Sequence, residues 1–177
     1  MNDTDILKEL FRPDVFVPPS ANKVELTEPL HPEDSVSIHG LPDDAVCIKS
    51  DVLDLRKLLG NTSKGECKRA DYIIISETKK HVLFIELKKS KAPWKDVCQQ
   101  LHGSYCLARY CQEIGKTFWQ SIDFMRNYDH HYISISHTVI GKGWQKETIE
   151  NSTIDKKVKI KKISHPHHLQ YRKLVSK

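Results

Sequence analysis

Asp71-Tyr-Ile-Ile-Ile-Ser76, then Glu77-Thr-Lys-Lys80, then His81-Val-Leu-Phe-Ile-Glu-Leu-Lys88 is the stretch that decides how this chain folds. The first run is strongly β-branched, as strands are. A short polar connection and a second apolar run follow, so the three pieces read as a β-hairpin. Neither run alternates cleanly between apolar and polar residues, which predicts central strands covered on both faces. Two charges break the second run. Glu86 and Lys88 lie two residues apart and project from the same face. A charge within a central strand is costly unless it is paired or binds metal. Asp71, at the start of the partner strand, is placed to converge with Glu86 across the hairpin. Two convergent carboxylates make a hard, oxygen-rich pair that suits Mg²⁺. Lys88 beside them can position a water or offset charge on a phosphate, while a metal would polarise the phosphate and acidify the water. The plainer alternative is an ion pair of Lys88 with Asp71 or Glu86 at a sheet end.

Outward from the hairpin, Pro93 suits the first turn of a helix. The spacing of Trp94, Val97, Cys98, Leu101, Tyr105 and Ala108 gives that helix a buried stripe as far as about Glu113, with Gly115 closing it. Residues 132–140 alternate as a further strand. Upstream, Ser50 or Asp51 caps an expected helix over 51–59, striped by Val52, Leu55, Leu58 and Leu59 and ended by Gly60. Residues 61–68 read as a polar loop, and residues 35–39 as a short strand. Five prolines in residues 13–34 predict extended chain or loop. Asp3 or Thr4 is placed to cap a first helix ending near Phe11. Helix, hairpin, helix, strand makes an α/β fold around a mixed sheet. Residues 1–49 form an N-terminal extension that is part of the core or packed on it, 50–150 the core, and 151–177 a basic strand or tail.

The chain has 177 residues and a net charge of +5. It has enough apolar material for one core and no apolar run long enough to cross a membrane. Its acidic, polar N-terminus lacks the basic start and apolar stretch of a signal peptide, which predicts a cytoplasmic protein. Five cysteines, an odd number with no CxxC pair, point to buried free thiols rather than disulfides or a metal–thiolate centre. The charge is uneven: residues 1–60 carry 6 basic against 12 acidic residues, and residues 151–177 carry 8 against 1. A basic end suggests a polyanion, with phosphate backbone the commonest, against the plain reading of a solvated tail. Within it, Val158 and Ile160 alternate with Lys157, Lys159 and Lys161 as in a strand with its lysines on one face. Such lysines also protect edge strands from aggregation.

Other residues carry two readings each. Lys89, Lys91 and Lys95 would hold phosphates near the site or simply be solvated. Trp94 and Trp119 would stack on bases or belong to the core. His130 and His131 would serve as base or ligand, or be loop residues preceding a strand. His137 reads as a core histidine, and His165, His167 and His168 lack companion ligands. No phosphate-binding loop, dinucleotide fingerprint, HExxH or GxSxG occurs.

Arg69-Ala70-Asp71 followed by Glu86-Leu87-Lys88 resembles the PD-(D/E)XK nuclease superfamily, with Ala70 where the family's proline usually stands. The resemblance covers about residues 50–140. It implies a restriction-endonuclease-like mixed sheet with a central β-hairpin flanked by helices, and a Mg²⁺- or Mn²⁺-dependent endonuclease. On that likeness Asp71 and Glu86 are metal carboxylates, the Leu87 carbonyl a further ligand and Lys88 the catalytic lysine. Members often carry an extra upstream acid. Asp51, Asp54 and Glu66 are the candidates, and Glu66 is taken as closest in sequence. Some members also place Gln and Tyr four residues apart on the following helix. Gln99, Gln100 and Tyr105 miss that spacing, but Gln100 borders the buried stripe and can face the cleft. DNA as substrate, a homodimer and a role in defence, restriction or repair are implied by likeness alone. The acidic N-terminal part suits a protein partner. The alternative function is a non-catalytic nucleic-acid-binding or assembly subunit that keeps the fold.

Overall fold

The computed structural model describes the whole chain apart from residues 29–30, 58, 61, 89–91, 137–145, 165–167 and 177. In chain order its elements are α1 (Asp3–Leu10), β1 (Lys23–Glu28), β2 (His31–His39), β3 (Val46–Lys49), β4 (Tyr72–Ser76), β5 (His81–Lys88), α2 (Trp94–Phe118), β6 (Asp129–Ser136), β7 (Lys146–Asn151), β8 (Lys159–Ser164), β9 (His168–Gln170) and α3 (Tyr171–Leu174). Among the described residues this is a mixed α/β fold with two mixed sheets and three helices. No helix among the described residues is long and apolar enough to cross a membrane.

The hairpin forms as its residues require. β4 and β5 pair antiparallel, Tyr72 opposite Ile85 and Ser76 opposite His81. Lys80, at φ 53°, turns the chain between them. The pair sits inside a six-stranded sheet of order β3-β4-β5-β6-β8-β7, in which β5, β6 and β8 run parallel. One face buries Ile73, Ile75, Val82 and Phe84 beneath α1 and α2, against Leu7, Val97, Leu101 and Ala108. The other buries Ile74, Leu83, Ile85 and Ile133 against Val24, Leu26, Val36 and Ile38 of the small sheet, ordered β1-β2-β9. Both faces of the hairpin are therefore covered, which explains its nearly unbroken apolar sequence.

Several local expectations are corrected. The proline-rich stretch is no simple loop: Ser20 and Lys23 exchange backbone hydrogen bonds across Ala21 and Asn22, both at positive φ. That tight turn starts the β1–β2 hairpin. The cap of α1 is Asn2, whose side-chain oxygen accepts the Asp5 N–H at 2.8 Å. Asp3 is instead buried, accepting from the Met125 N–H and the Tyr128 hydroxyl. Residues 51–59 form no α-helix, only a 3-10 turn at Leu55–Lys57. Asp54 Oδ1 takes both the backbone N–H and Nε of Arg56, a local bond that competes with helix. Leu58 lies outside the described residues. β3 and β7 stand where no strand was expected.

The basic segment is not a solvated tail either. β8 lies between β6 and β7, Ile160 and Ile163 are buried, and Lys161 is buried with them. The Lys161 ammonium donates to the Lys173 and Ser176 carbonyls and pairs with Glu147 at 3.2 Å. It thereby ties α3 to the sheet. Lys157 and Lys159 stay exposed.

α2 runs through Gly115 instead of stopping there, because that glycine gives room to a ring: a Cβ on it would stand 2.2 Å from Phe124 Cδ1. Gly103 does the same for backbone, since a Cβ there would meet the Lys68 carbonyl oxygen at 1.8 Å. Next to it, Ser104 Oγ accepts the Ala70 N–H at 2.9 Å. These contacts fix the segment that delivers Asp71. Replacing Gly103 by Ala should cost at least about 1–3 kcal/mol, since backbone cannot yield as a side chain does. Gly60→Ala, whose Cβ would meet nothing nearer than 3.9 Å, should stay within about 0.5 kcal/mol. Urea unfolding of both variants checks this; equal stability of the two would refute the close approach.

Candidate functional site

Asp71, Glu86 and Lys88 come together on the helix-covered face of the large sheet. The register that sets Tyr72 opposite Ile85 brings Asp71 beside Glu86. Asp71 Oδ2 accepts the Leu87 N–H at 2.7 Å. Glu86 is fully buried, with 0% exposure. The Lys88 ammonium lies against its Oε1 as an ion pair. Neither Glu86 oxygen has a properly directed hydrogen bond. The carboxyl pKa stands well above its ordinary value, raised first by burial and then by the like charge of Asp71, with Lys88 opposing. A buried carboxylate with one cation and no directed donor is under-satisfied.

A cleft of about 430 Å³ opens beside Lys88. Arg56, Lys68, Arg69 and Lys88 give it four cations against the acids Asp51 and Asp96. Gln100 lines it as well, on the face of α2 expected for it. Its neighbour Gln99 is structural. It donates to the Lys64 carbonyl at 2.7 Å and accepts from the Lys68 ammonium at 2.8 Å, strapping the loop before Asp71 to the helix. Tyr105 packs elsewhere, 6.3 Å from the Phe84 ring and 5.3 Å from His130.

Of the upstream acids, Glu66 accepts the Thr62 N–H and hydroxyl at 2.6 and 2.9 Å and does not line the cleft. Asp54 is held by Arg56, whereas Asp51 does line it. No group of three or more His, Cys, Asp or Glu among the described residues is placed to hold a metal. The oxygen donors gathered here are Asp71, Glu86 and the backbone around Leu87.

The lesser candidates scatter. Trp94 is half-buried, its indole N–H donating to the Asn151 carbonyl at 3.2 Å and its ring lying 4.6 Å from the Lys162 ammonium. Trp119 donates to Glu9 at 2.8 Å and joins α2 to α1. His130 and His131 lie within β6, not before it. His131 sits edge-on to His81 at 5.0 Å, and burial first, then His81, lowers its pKa to about 4. His168 meets His39 at 3.2 Å between ring nitrogens. Lys95 is exposed. Lys89, Lys91, His137, His165 and His167 fall outside the described residues. All five cysteines are free, and only Cys106 is exposed.

Sequence reasoning missed Ser134 and Lys162. The register runs Glu86 to Ser134 to Lys162 across β5, β6 and β8, so both share the row of Glu86. Only the parallel pairing reveals this. Comparisons with family models, with curated proteins and with solved structures find no match.

The raised Glu86 pKa fixes a sign. Unfolded, the carboxyl loses its proton near 4.5; folded, it holds the proton to higher pH. The stability this group contributes therefore falls as pH rises above 4.5 toward the folded value. In chelated buffer, Glu86→Gln should gain stability over the unsubstituted protein as pH rises above 4.5, increasingly until the folded carboxyl ionises. Urea midpoints across that range check it, and a variant that loses ground as pH rises would contradict the raised pKa.

Proposed function

We propose that the protein is a metal-dependent nuclease that hydrolyses phosphodiester bonds, with DNA favoured over RNA. The observation that carries this reading is Glu86: a fully buried carboxylate without a directed donor, set beside Asp71 and Lys88 next to a cleft rich in cations. The central hairpin covered by α2, with Asp71 at the start of one strand and Glu86-Leu87-Lys88 on the next, supports the likeness to PD-(D/E)XK nucleases and their restriction-endonuclease-like fold.

The donor set fits a hard cation. Asp71, Glu86 and the Leu87 carbonyl would hold Mg²⁺ or Mn²⁺. When bound, such an ion supplies Lewis acidity to a phosphate oxygen and acidifies a water. Lys88 orients the water and offsets negative charge at the scissile phosphate. Arg56, Lys68 and Arg69 attract neighbouring phosphates by charge, since Arg69 gives Nε and Nη1 to the Ser50 and Cys67 carbonyls, Arg56 gives Nε to Asp54 and Lys68 pairs with Asp96. Gln100 offers an amide to the same space.

One observation favours a second reading, a nucleic-acid-binding or assembly subunit without cleavage. Among the described residues no third acid joins Asp71 and Glu86, and Glu66 is occupied by Thr62.

Cleavage of mixed DNA and RNA substrates with Mg²⁺ or Mn²⁺ separates the two. Lys88→Ala and Glu86→Gln should each lower the rate at least about 100-fold. Mg²⁺ should also raise the melting temperature of the unsubstituted protein and not that of Glu86→Gln. Absence of both cleavage and the Mg²⁺ shift, with polynucleotide binding retained, moves the conclusion to the second reading.

A further inference from the structure

A second cavity lies away from the Lys88 cleft. β6 begins at Asp129 but pairs with β8 only from Tyr132, opposite Ile160. The start of β6 thus projects past its neighbour, and a cavity of about 670 Å³ opens in the notch. Its size is that of a small-molecule site.

We propose that this notch binds a nucleoside phosphate. The rings His102, Tyr105, His130 and Tyr132 line it. His102 stacks on Tyr132 at 5.7 Å, and His130 meets Tyr105 edge-on at 5.3 Å. Such rings offer flat faces for a base and polar edges for its heteroatoms. Burial lowers the pKa of His102 and His130, which favours neutral imidazoles with one donor and one acceptor nitrogen each.

The loop between β7 and β8 also lines the notch, and it is built in advance. The Ser152 N–H donates to the Val158 carbonyl, the Val158 N–H to the Asp155 carbonyl and the Lys157 N–H to Asp155 Oδ1, each at 2.9 Å. Ser152 Oγ meets His102 Nε2 at 2.9 Å and sets the ring. Lys157 of this loop and Lys159 at the start of β8 stand exposed at the notch and suit a phosphate, while Asp155 suits a sugar hydroxyl. Lys161 also borders the notch, but its ammonium is committed to the C-terminal carbonyls and Glu147. Flat rings and exposed lysines lining one notch select for a base joined to a phosphate, free in solution or within a nucleic-acid strand.

The inference does not rest on the nuclease reading, and titration calorimetry on the full chain tests it separately. AMP and ATP should bind below about 1 mM. Adenosine and pyrophosphate should each bind at least about tenfold more weakly. Lys157→Ala with Lys159→Ala, and separately His130→Ala, should weaken AMP about tenfold, whereas Lys88→Ala leaves it unchanged. A short DNA oligonucleotide that competes with AMP and shows the same losses identifies a strand as the source. One that does not compete identifies the free nucleotide. No binding of AMP or ATP at several times that concentration, pyrophosphate binding as tightly as AMP, or indifference to the notch variants would overturn the proposal.

Discussion

An ionisable carboxyl sits fully buried in the middle of a sheet, and the rest of the site follows from that constraint. Moving a carboxylate out of water costs several kcal/mol even after the protein relaxes, about as much as many whole domains are stable by. Lys88 offsets part of this from the same strand. Asp71 makes it worse. A chain selected for stability alone would put an apolar side chain at position 86, since a buried ion pair is often no better than well-packed hydrophobic residues. The sheet tolerates the charge because β5 is held on both sides, antiparallel to β4 and parallel to β6. Strain of this kind in an otherwise apolar strand is the usual mark of a working site.

Two close approaches shape the cleft beside that buried carboxyl. Gly103 lets α2 come down onto the Lys68 carbonyl, and Ser104 then receives the Ala70 N–H. Gln99 fastens Lys64 and Lys68 from the same helix. The loop carrying Lys68 and Arg69 is therefore clamped rather than free, and Gln100 is brought to the same opening. The parallel register of β5, β6 and β8 adds Ser134 and Lys162 to the row of Glu86. Lys88, Ser136 and Ser164 are likewise in register. The candidate chemistry therefore stands at the carboxyl ends of parallel strands, where open α/β sheets place their ligands.

Local signals were legible where local physics decides. The hairpin, the start of α2 and the shared face of Glu86 and Lys88 follow from β-branching, proline placement and the period of two. The convergence of Asp71 on Glu86 follows from one short turn. What failed was decided at a distance or by competition. The stripe Val52, Leu55, Leu58, Leu59 looks helical, yet the Asp54 side chain takes the local donors, and Val52 and Leu59 are exposed. Gly115 resembles a helix end, yet it is small because Phe124 presses on it. The prolines of residues 13–34 hid the alternation of Val24 and Leu26 with Glu25 and Thr27, which is a strand pattern once β2 is there to pair with it. Glu66 is near Asp71 in sequence, but its turn with Thr62 takes both oxygens, and nothing in spacing alone reveals that.

Charge along the sequence misleads in a further way, because it treats as one tail what the fold divides. Residues 151–177 hold eight cations, but they do not act together. Lys161 is buried and works as a strut for the C-terminus. Lys162, one residue on, faces the opposite side of the sheet, where it is shared between Glu150 and the Trp94 ring. Lys157 and Lys159 precede both and border the notch beside β6. A strand alternates its side chains, so consecutive lysines in a central strand must go to different places. The sheet thereby directs one basic run to three uses: a buried tether, a partner for a half-buried tryptophan, and a pair of cations beside aromatic rings. Lys156, Arg172 and Lys173 are exposed as well, but Lys157 and Lys159 join exposure to a place beside aromatic rings, which is why the notch, and not the run as a whole, is where an anion should be sought.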